Sequence, residues 1–292
     1  MSTNPLPTVL SIAGSDCSAG AGIQADLKTI HALHGYALTV PTAITAQNSH
    51  GVQNSYPLPS MQVQSQLESL AADYQIEAIK IGILANREII QVVVDFLKKH
   101  PRIPVVLDPV FLSSSGKVLL DENAVDSMIN ELFPLITLLT PNLPELNTLL
   151  QRDNHFSYTS MQAETEEIWQ RINQLNWPHC LLKGGHSQEP SATDYLILNK
   201  AKLIPPLDDT QPITAYASER IAVQHNHGTG CTLSSAIATQ LAKGMILPEA
   251  VKSAKDYLFK ALKSADLAQP HYRKESADRH GGLNHFVDFI AE

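Results

Sequence analysis

The chain has 292 residues, 43% hydrophobic, 6% aromatic and 17% charged, which fits a folded globular protein and excludes a disordered or collagen-like one. Lys and Arg number 21 against 29 Asp and Glu, and a formal net charge of −8 excludes a general binder of nucleic acid or anionic membranes. Cys17, Cys180 and Cys231 are too few and too far apart for a disulfide framework or a zinc cluster, no apolar run reaches the roughly 20 residues of a membrane span, and MSTNPLPTVL carries no basic leader, so a cytoplasmic protein is expected.

Strand-length apolar runs alternate with helix-length amphipathic segments along the whole chain. Thr8–Gly14 reads as a buried strand, followed by a glycine-rich turn and a helix over Ala21–His34. A strand over Ala37–Ala46, a helix over Met61–Tyr74, a strand over Ala78–Ile83 and a helix over Glu88–Lys99 follow. Val105–Leu107 is an apolar strand ending at Asp108-Pro109. Next come a helix over Asn123–Leu132, a strand over Leu135–Thr140, a helix from Leu143, a polar loop over Asp153–Met161 and a helix over Glu164–Leu175.

Cys180–Lys183 is a further strand, and Asp194–Leu198 with Lys202–Ile204 reads as a hairpin. Two helices close the chain, over Thr232–Lys243 and Pro248–Ala265; on the second, Val251, Ala254, Leu258, Ala261, Leu262 and Ala265 recur at helical spacing. The tail after Gln269 is polar and expected to be irregular. Alternation of this kind predicts one α/β domain over 1–292, a mostly parallel sheet with helices on both faces. Ligands in such folds sit at the carboxyl ends of the strands.

Those strand ends carry the informative residues. Gly20-Ala21-Gly22-Ile23-Gln24-Ala25 matches a dinucleotide fingerprint, but no acidic residue lies between Asp26 and Glu68 to hold a ribose, which disfavours nicotinamide. His227-Gly228-Thr229-Gly230-Cys231-Thr232 opens a helix, where glycines let backbone N–H groups converge and the helix dipole adds positive potential. That is an anion hole suited to a transferred phosphoryl group, and the same terminus is expected to lower the Cys231 thiol pKa. Asp108, Asn142 and Glu145 supply oxygens suited to Mg²⁺, and Lys183 a point charge suited to phosphates. The P-loop string, the protein-kinase H-R-D and D-F-G strings and G-x-S-x-G are all absent.

Taken in order, GSDCSAGAGIQADLK, TAITAQNSHGVQ, IKIGIL, VVLDPV, TPNLPEL, LLKGGH and HGTGCTLSSAIA resemble the hydroxymethylpyrimidine/phosphomethylpyrimidine kinases of thiamine biosynthesis, within the ribokinase-like superfamily; pyridoxal kinases are the neighbouring subfamily. The resemblance implies a three-layer α/β/α sandwich, usually a homodimer, that phosphorylates 4-amino-5-hydroxymethyl-2-methylpyrimidine and its monophosphate with ATP and Mg²⁺. It implies an anion hole at Gly228, Thr229 and Gly230, and Cys231 as catalytic base. It implies a pyrimidine site at Gly14, Asp26, Gln47 and Ile83, ATP contacts at Lys183 and Thr229, and magnesium organised by Asp108, Asn142 and Glu145. The alternatives are pyridoxal phosphorylation and non-catalytic binding of an aminopyrimidine. Three departures bear on substrate range: Ala19 replaces a glycine of the first turn, Ser114 stands where the family commonly has lysine, and His50 is unusual in its loop. The missing lysine predicts a weaker second phosphorylation relative to the first, because an anionic acceptor must approach anionic ATP.

Overall fold

The computed structural model describes residues 5–111, 120–150, 156–157, 161–185, 191–203, 211–273 and 279–287. Nine strands form one sheet in the order β3-β2-β1-β4-β5-β6-β7-β8-β9. They are β1 (Thr8–Asp16), β2 (Tyr36–Asn48), β3 (Gly51–Pro57), β4 (Ala78–Ile81), β5 (Val105–Leu107), β6 (Leu138–Leu139), β7 (His179–Leu182), β8 (Ser191–Ile197) and β9 (Ile213–Glu219). The pairs from β2 through β1, β4, β5 and β6 to β7 are parallel; β2 with β3, β7 with β8 and β8 with β9 are antiparallel. The sheet is therefore mostly parallel, as its nearly continuous apolar central strands require.

Successive residues of a strand point to opposite faces, and the core divides accordingly. Leu10, Ile12, Ile79, Ile81, Leu107, Leu139 and Leu182 pack on one side. There they meet α2 (Ser60–Asp73), α3 (Arg87–Lys99), α4 (Glu122–Ser127), α5 (Leu143–Leu150) and α6 (Met161–Gln174). Val9, Ala78, Val106, Leu138 and Leu181 face the other side, against α1 (Gly22–Ala32), α7 (Thr229–Ala242) and α8 (Leu247–Lys263). The result is the expected three-layer α/β/α sandwich. Helix α3 shows how local sequence sets an element: the Asn86 side chain accepts from Ile89 N at 3.0 Å, and Ile89, Ile90, Val93, Val94 and Leu97 form its buried stripe.

Two expectations need correction, and one strand, β3, is not among the expected elements. The hairpin does not pair Asp194–Leu198 with Lys202–Ile204: β8 pairs with β9, and Lys200–Lys202 form a 3₁₀ turn capped by the Asn199 side chain. Ile204 lies outside the described residues. The polar strand β3 gives little apolar signal because most of it faces solvent at the sheet edge. The strand expected over Leu135–Thr140 shrinks to Leu138–Leu139, since a π-helical turn at Met128–Leu132 and a 3₁₀ turn at Phe133–Leu135 run into it. Residues Ser113–Ser115, and most of Asp153–Met161, lie outside the described residues.

The tail beyond Gln269 is irregular, but residues 279–287 return to the body of the fold. Tyr257 Oη donates to the His285 carbonyl at 2.7 Å, and His285 is 2% exposed. Burial, helped by Lys28, pushes the His285 pKa down to about 4, and burial with Lys202 does the same for His179. Between their ordinary 6.5 and about 4 the unfolded chain binds protons at both rings that the fold refuses, so stability is lost as pH falls through that window. Denaturant unfolding at stepped pH is expected to show this loss, and His285→Gln to remove roughly 1–3 kcal/mol of it. An unaltered slope in that variant would show that His285 is protonated in the fold. No helix of the described residues is long and apolar enough to cross a membrane.

Candidate active site

The functional side chains leave the carboxyl ends of six strands. Asp16 ends β1, Gln47 lies near the end of β2, Ile83 follows β4, Asp108 follows β5, Asn142 follows β6 and Lys183 follows β7. Helix α7 points its N-terminus at the same edge. Gly228 is its N-cap with φ of 85°, a left-handed conformation, and a Cβ there would meet Gly20 O at 1.9 Å. Only glycine fits, and the anion-hole loop is thereby pressed against the turn that follows β1.

On the phosphate side, Lys183 Nζ lies 2.7 Å from Asp108 Oδ1 and 3.8 Å from Glu145 Oε2. A Cβ on Gly230 would stand 3.1 Å from Asp108 Oδ2 and 3.3 Å from Lys183 Nζ, so the anion hole and this charged group adjoin. Burial opposes charge on Lys183, but Asp108 and Glu145 hold its pKa above the ordinary value, and it stays an ammonium. Asn142 and Glu145 form a reciprocal cap of α5: Asn142 N donates to Glu145 Oε2 at 2.7 Å and Glu145 N to Asn142 Oδ1 at 2.8 Å. Burial and the Asp108 charge push Glu145 up to about 7, against the pull of Lys183. The Thr229 hydroxyl donates back to Asn226 O at 2.6 Å.

On the acceptor side, Gly14 packs on Ile83, whose Cδ1 would be 3.3 Å from a Cβ at residue 14. Gln47 is reached from two directions. Cys17 Sγ lies 3.2 Å from its carbonyl and 3.4 Å from its backbone nitrogen, and its side-chain amide faces His227. Asp16 gathers the turn: Ser18 N and Oγ donate to Oδ1, and Gly20 N and Ala21 N to Oδ2, at 2.7–3.1 Å. Ala19 adopts φ of 63° in that turn, unfavourable for a residue with a Cβ. Ala19→Gly is expected to raise stability by about 0.5–1 kcal/mol, read as a higher denaturation midpoint; a lower midpoint would mean that the turn tolerates alanine without strain.

Two sequence expectations change here. Asp26 is not presented to a ligand. It is fully buried, and its carboxylate accepts from Lys80 Nζ at 2.9 and 2.8 Å, Ser11 Oγ at 2.6 Å and Ser235 Oγ at 2.7 Å. The Cys231 thiol is not lowered either. Burial, with Asp26 and Asp108 nearby, pushes it up to about 11, although Lys80 and a backbone bond with Gly22 work the other way. The helix terminus is outweighed chiefly by loss of water, to which the two carboxylates add. The exposed thiol is Cys17, and Cys180 is buried.

Sequence reasoning assigned no role to Asp16, His227 or Lys80. Asp16 lies in GSDCSAGAGIQADLK and His227 in HGTGCTLSSAIA, but nothing in the order of residues shows that they touch. Lys80 gave a readable signal, a lone cation inside the apolar run IKIGIL.

The chain matches the phosphomethylpyrimidine kinase family over residues 16–275. It is 39% identical over 277 residues to a hydroxymethylpyrimidine/phosphomethylpyrimidine kinase of Rhizobium meliloti, covering 95% of this chain and 96% of that one. It is 38% identical over 283 residues to the thiamine biosynthesis bifunctional protein of Geobacter sulfurreducens, covering 97% of this chain but only 53% of that longer protein. Among solved structures, the ADP complex of Bacillus subtilis pyridoxal kinase superposes with a TM-score of 0.80 at 28% identity, covering 98% of this chain and all of that one.

Proposed function

Because the chain belongs to the phosphomethylpyrimidine kinase family, we propose that it transfers the ATP γ-phosphoryl group to 4-amino-5-hydroxymethyl-2-methylpyrimidine, and then to the monophosphate. The observation that carries this reading is the adjacency of the α7 anion hole to the Lys183–Asp108–Glu145 group, at the same sheet edge as Gly14, Ile83 and Gln47. Lys183 and the first-turn N–H groups of α7, with Thr229, receive the transferred phosphoryl group; such N–H groups have no acceptor within their own helix. Cys231, its own proton released to solvent when the substrates bind, takes the proton of the hydroxymethyl group as that group's oxygen bonds to the γ-phosphorus and the bond to ADP breaks. Gln47 offers an amide edge to the aminopyrimidine.

The donor set fits Mg²⁺. Asp108 Oδ2 has no hydrogen-bond donor among the described residues, and Glu145 lies across the same lysine. Asp108 and Glu145 would hold the ion, which would neutralise phosphate charge. The Asn142 oxygen is occupied by the helix cap, which makes it a positioning residue for Glu145. The whole chain is read as one kinase domain, acting as a cytoplasmic homodimer.

One assay tests the activity: ATP consumption with Mg²⁺ and, separately, the pyrimidine alcohol, its monophosphate and pyridoxal. Preferred turnover of the alcohol supports the proposal. Preferred turnover of pyridoxal would assign the neighbouring activity, and tight binding of the pyrimidine without turnover would make the protein a binder. Sedimentation of a monomer would overturn the dimer.

A further inference from the structure

One imidazole nitrogen joins two loops that are some 200 residues apart in the chain. His227 Nε2 lies 3.0 Å from Asp16 Oδ2, and the Gln47 side-chain amide stands 2.8 Å from the same nitrogen. Burial favours a neutral Asp16, but hydrogen bonds from His227 and Ser18 and the His227 charge hold its pKa below the ordinary value. A carboxylate only accepts, so His227 Nε2 carries a proton and donates it to Asp16.

That proton decides how the Gln47 amide is turned. With the amide nitrogen at 2.8 Å, two N–H donors would face each other. Heavy-atom positions do not distinguish amide oxygen from nitrogen; the hydrogen-bond network does. Turned over, the amide oxygen shares the one His227 Nε2–H with Asp16 Oδ2 in a three-centre bond, and the NH₂ group faces Thr45 Oγ1 at 3.2 Å. Thr45 spends its own hydrogen on Ser15 O at 2.9 Å, so its oxygen is free to accept. No two donors then face each other, and one Gln47 N–H is left with no partner among the described residues.

We propose that Asp16 and His227 are positioning residues that fix Gln47 as an N–H donor toward its substrate, so that the pocket selects an aromatic ring with an unprotonated ring nitrogen. The same imidazole braces the pocket against the anion hole. Its ring lies on Gly20, where a Cβ would be 2.4 Å from His227 Cδ2. The backbone of His227 is held separately, donating to Gly281 O at 3.1 Å, beyond the stretch matched to the family. Loss of the ring nitrogen therefore disturbs Gln47 while leaving the loop anchored.

The inference rests on the aminopyrimidine kinase reading, and assay of the native protein tests that reading first. Given native activity, His227→Phe keeps a ring against Gly20 and removes the N–H. It is expected to raise KM for the pyrimidine alcohol roughly 10–100-fold, the range for a hydrogen bond in a charged network. KM for ATP should stay within about twofold, since no contact to nucleotide is lost. His227→Gln, which restores a donor on a flexible stem, should recover part of the loss, and Asp16→Asn should raise pyrimidine KM in the same direction. An unchanged pyrimidine KM in His227→Phe overturns the inference. So does a parallel rise in both KM values, or a His227→Gln protein no better than the phenylalanine one, because each would mean that ring packing alone matters. Native protein inactive on the pyrimidine overturns the kinase reading and this inference with it.

Discussion

Replacing Cys231 with alanine is expected to lower turnover of the pyrimidine alcohol about 10²–10⁴-fold, the usual contribution of a positioned general base, while ATP affinity changes little. The separation follows from the site. The anion hole is made of backbone N–H groups at the start of α7, which a side-chain truncation leaves in place. The thiol is the group lost, and its starting point matters. Pushed up to about 11, it is protonated in the free protein at neutral pH, so a base role requires that the thiol first release its own proton to solvent as the substrates bind, leaving a thiolate to accept the hydroxymethyl proton. The free protein should consequently react slowly with alkylating agents at Cys231 and faster at the exposed Cys17. Cys231→Ser separates size from acidity: a hydroxyl fills nearly the same space but does not ionise usefully, so it should be almost as slow as alanine. Near-native turnover in either variant would make Cys231 a packing residue, with catalysis supplied by positioning and electrostatics alone.

How much of this was legible in the sequence differs by element. Long strands and helices with a clear apolar period, such as β1, α3 and α8, stood where periodicity placed them, because burial on one or two faces leaves a direct imprint. Strand β3 left none, since an exposed edge strand needs only backbone pairing. The hairpin partner of β8 was misassigned because Lys202–Ile204 lies nearer in sequence than Ile213–Glu219 does, and length of connection carries no hydropathy signal. In the site, residues sorted by strand end were found: Asp108, Lys183, Glu145 and the Gly228–Cys231 loop do converge. What failed were inferences about environment. A helix N-terminus alone argues for a lowered thiol; burial reverses the direction, and Asp26 and Asp108 add to it. Asp26 follows a glycine turn and looks available, yet it faces Lys80 across the α1–sheet interface.

That buried pair leads to the largest stability effect expected in the molecule. Lys80 points from β4 toward α1 and α7, fully buried on an otherwise apolar strand. Burial alone would drive off its proton, but Asp26, with Cys231 and Asp108, holds its pKa above the ordinary value. Lys80→Met fits the same space and leaves the Asp26 carboxylate with two hydroxyl donors, Ser11 and Ser235, and no cation. Breaking one side of a buried pair typically costs about 3–5 kcal/mol, a large part of a net stability of roughly 5–15 kcal/mol. Asp26→Leu should cost a similar amount by stranding the ammonium. The double variant, with neither charge, should recover most of the loss, and a double-mutant cycle by denaturant unfolding should show strong coupling, far beyond the roughly 0.5 kcal/mol within which independent sites add. Additive losses would mean that each residue is held by its other neighbours and the pair is incidental. Turnover should behave differently from stability. Lys80 pulls the Cys231 thiol down more than Asp26 pushes it up, so removing both leaves the thiol higher than in the native protein. The double variant should therefore fold nearly as well as the native chain and still turn over more slowly, which separates the pair's electrical effect on the anion-hole cysteine from its part in holding α1, β4 and α7 together.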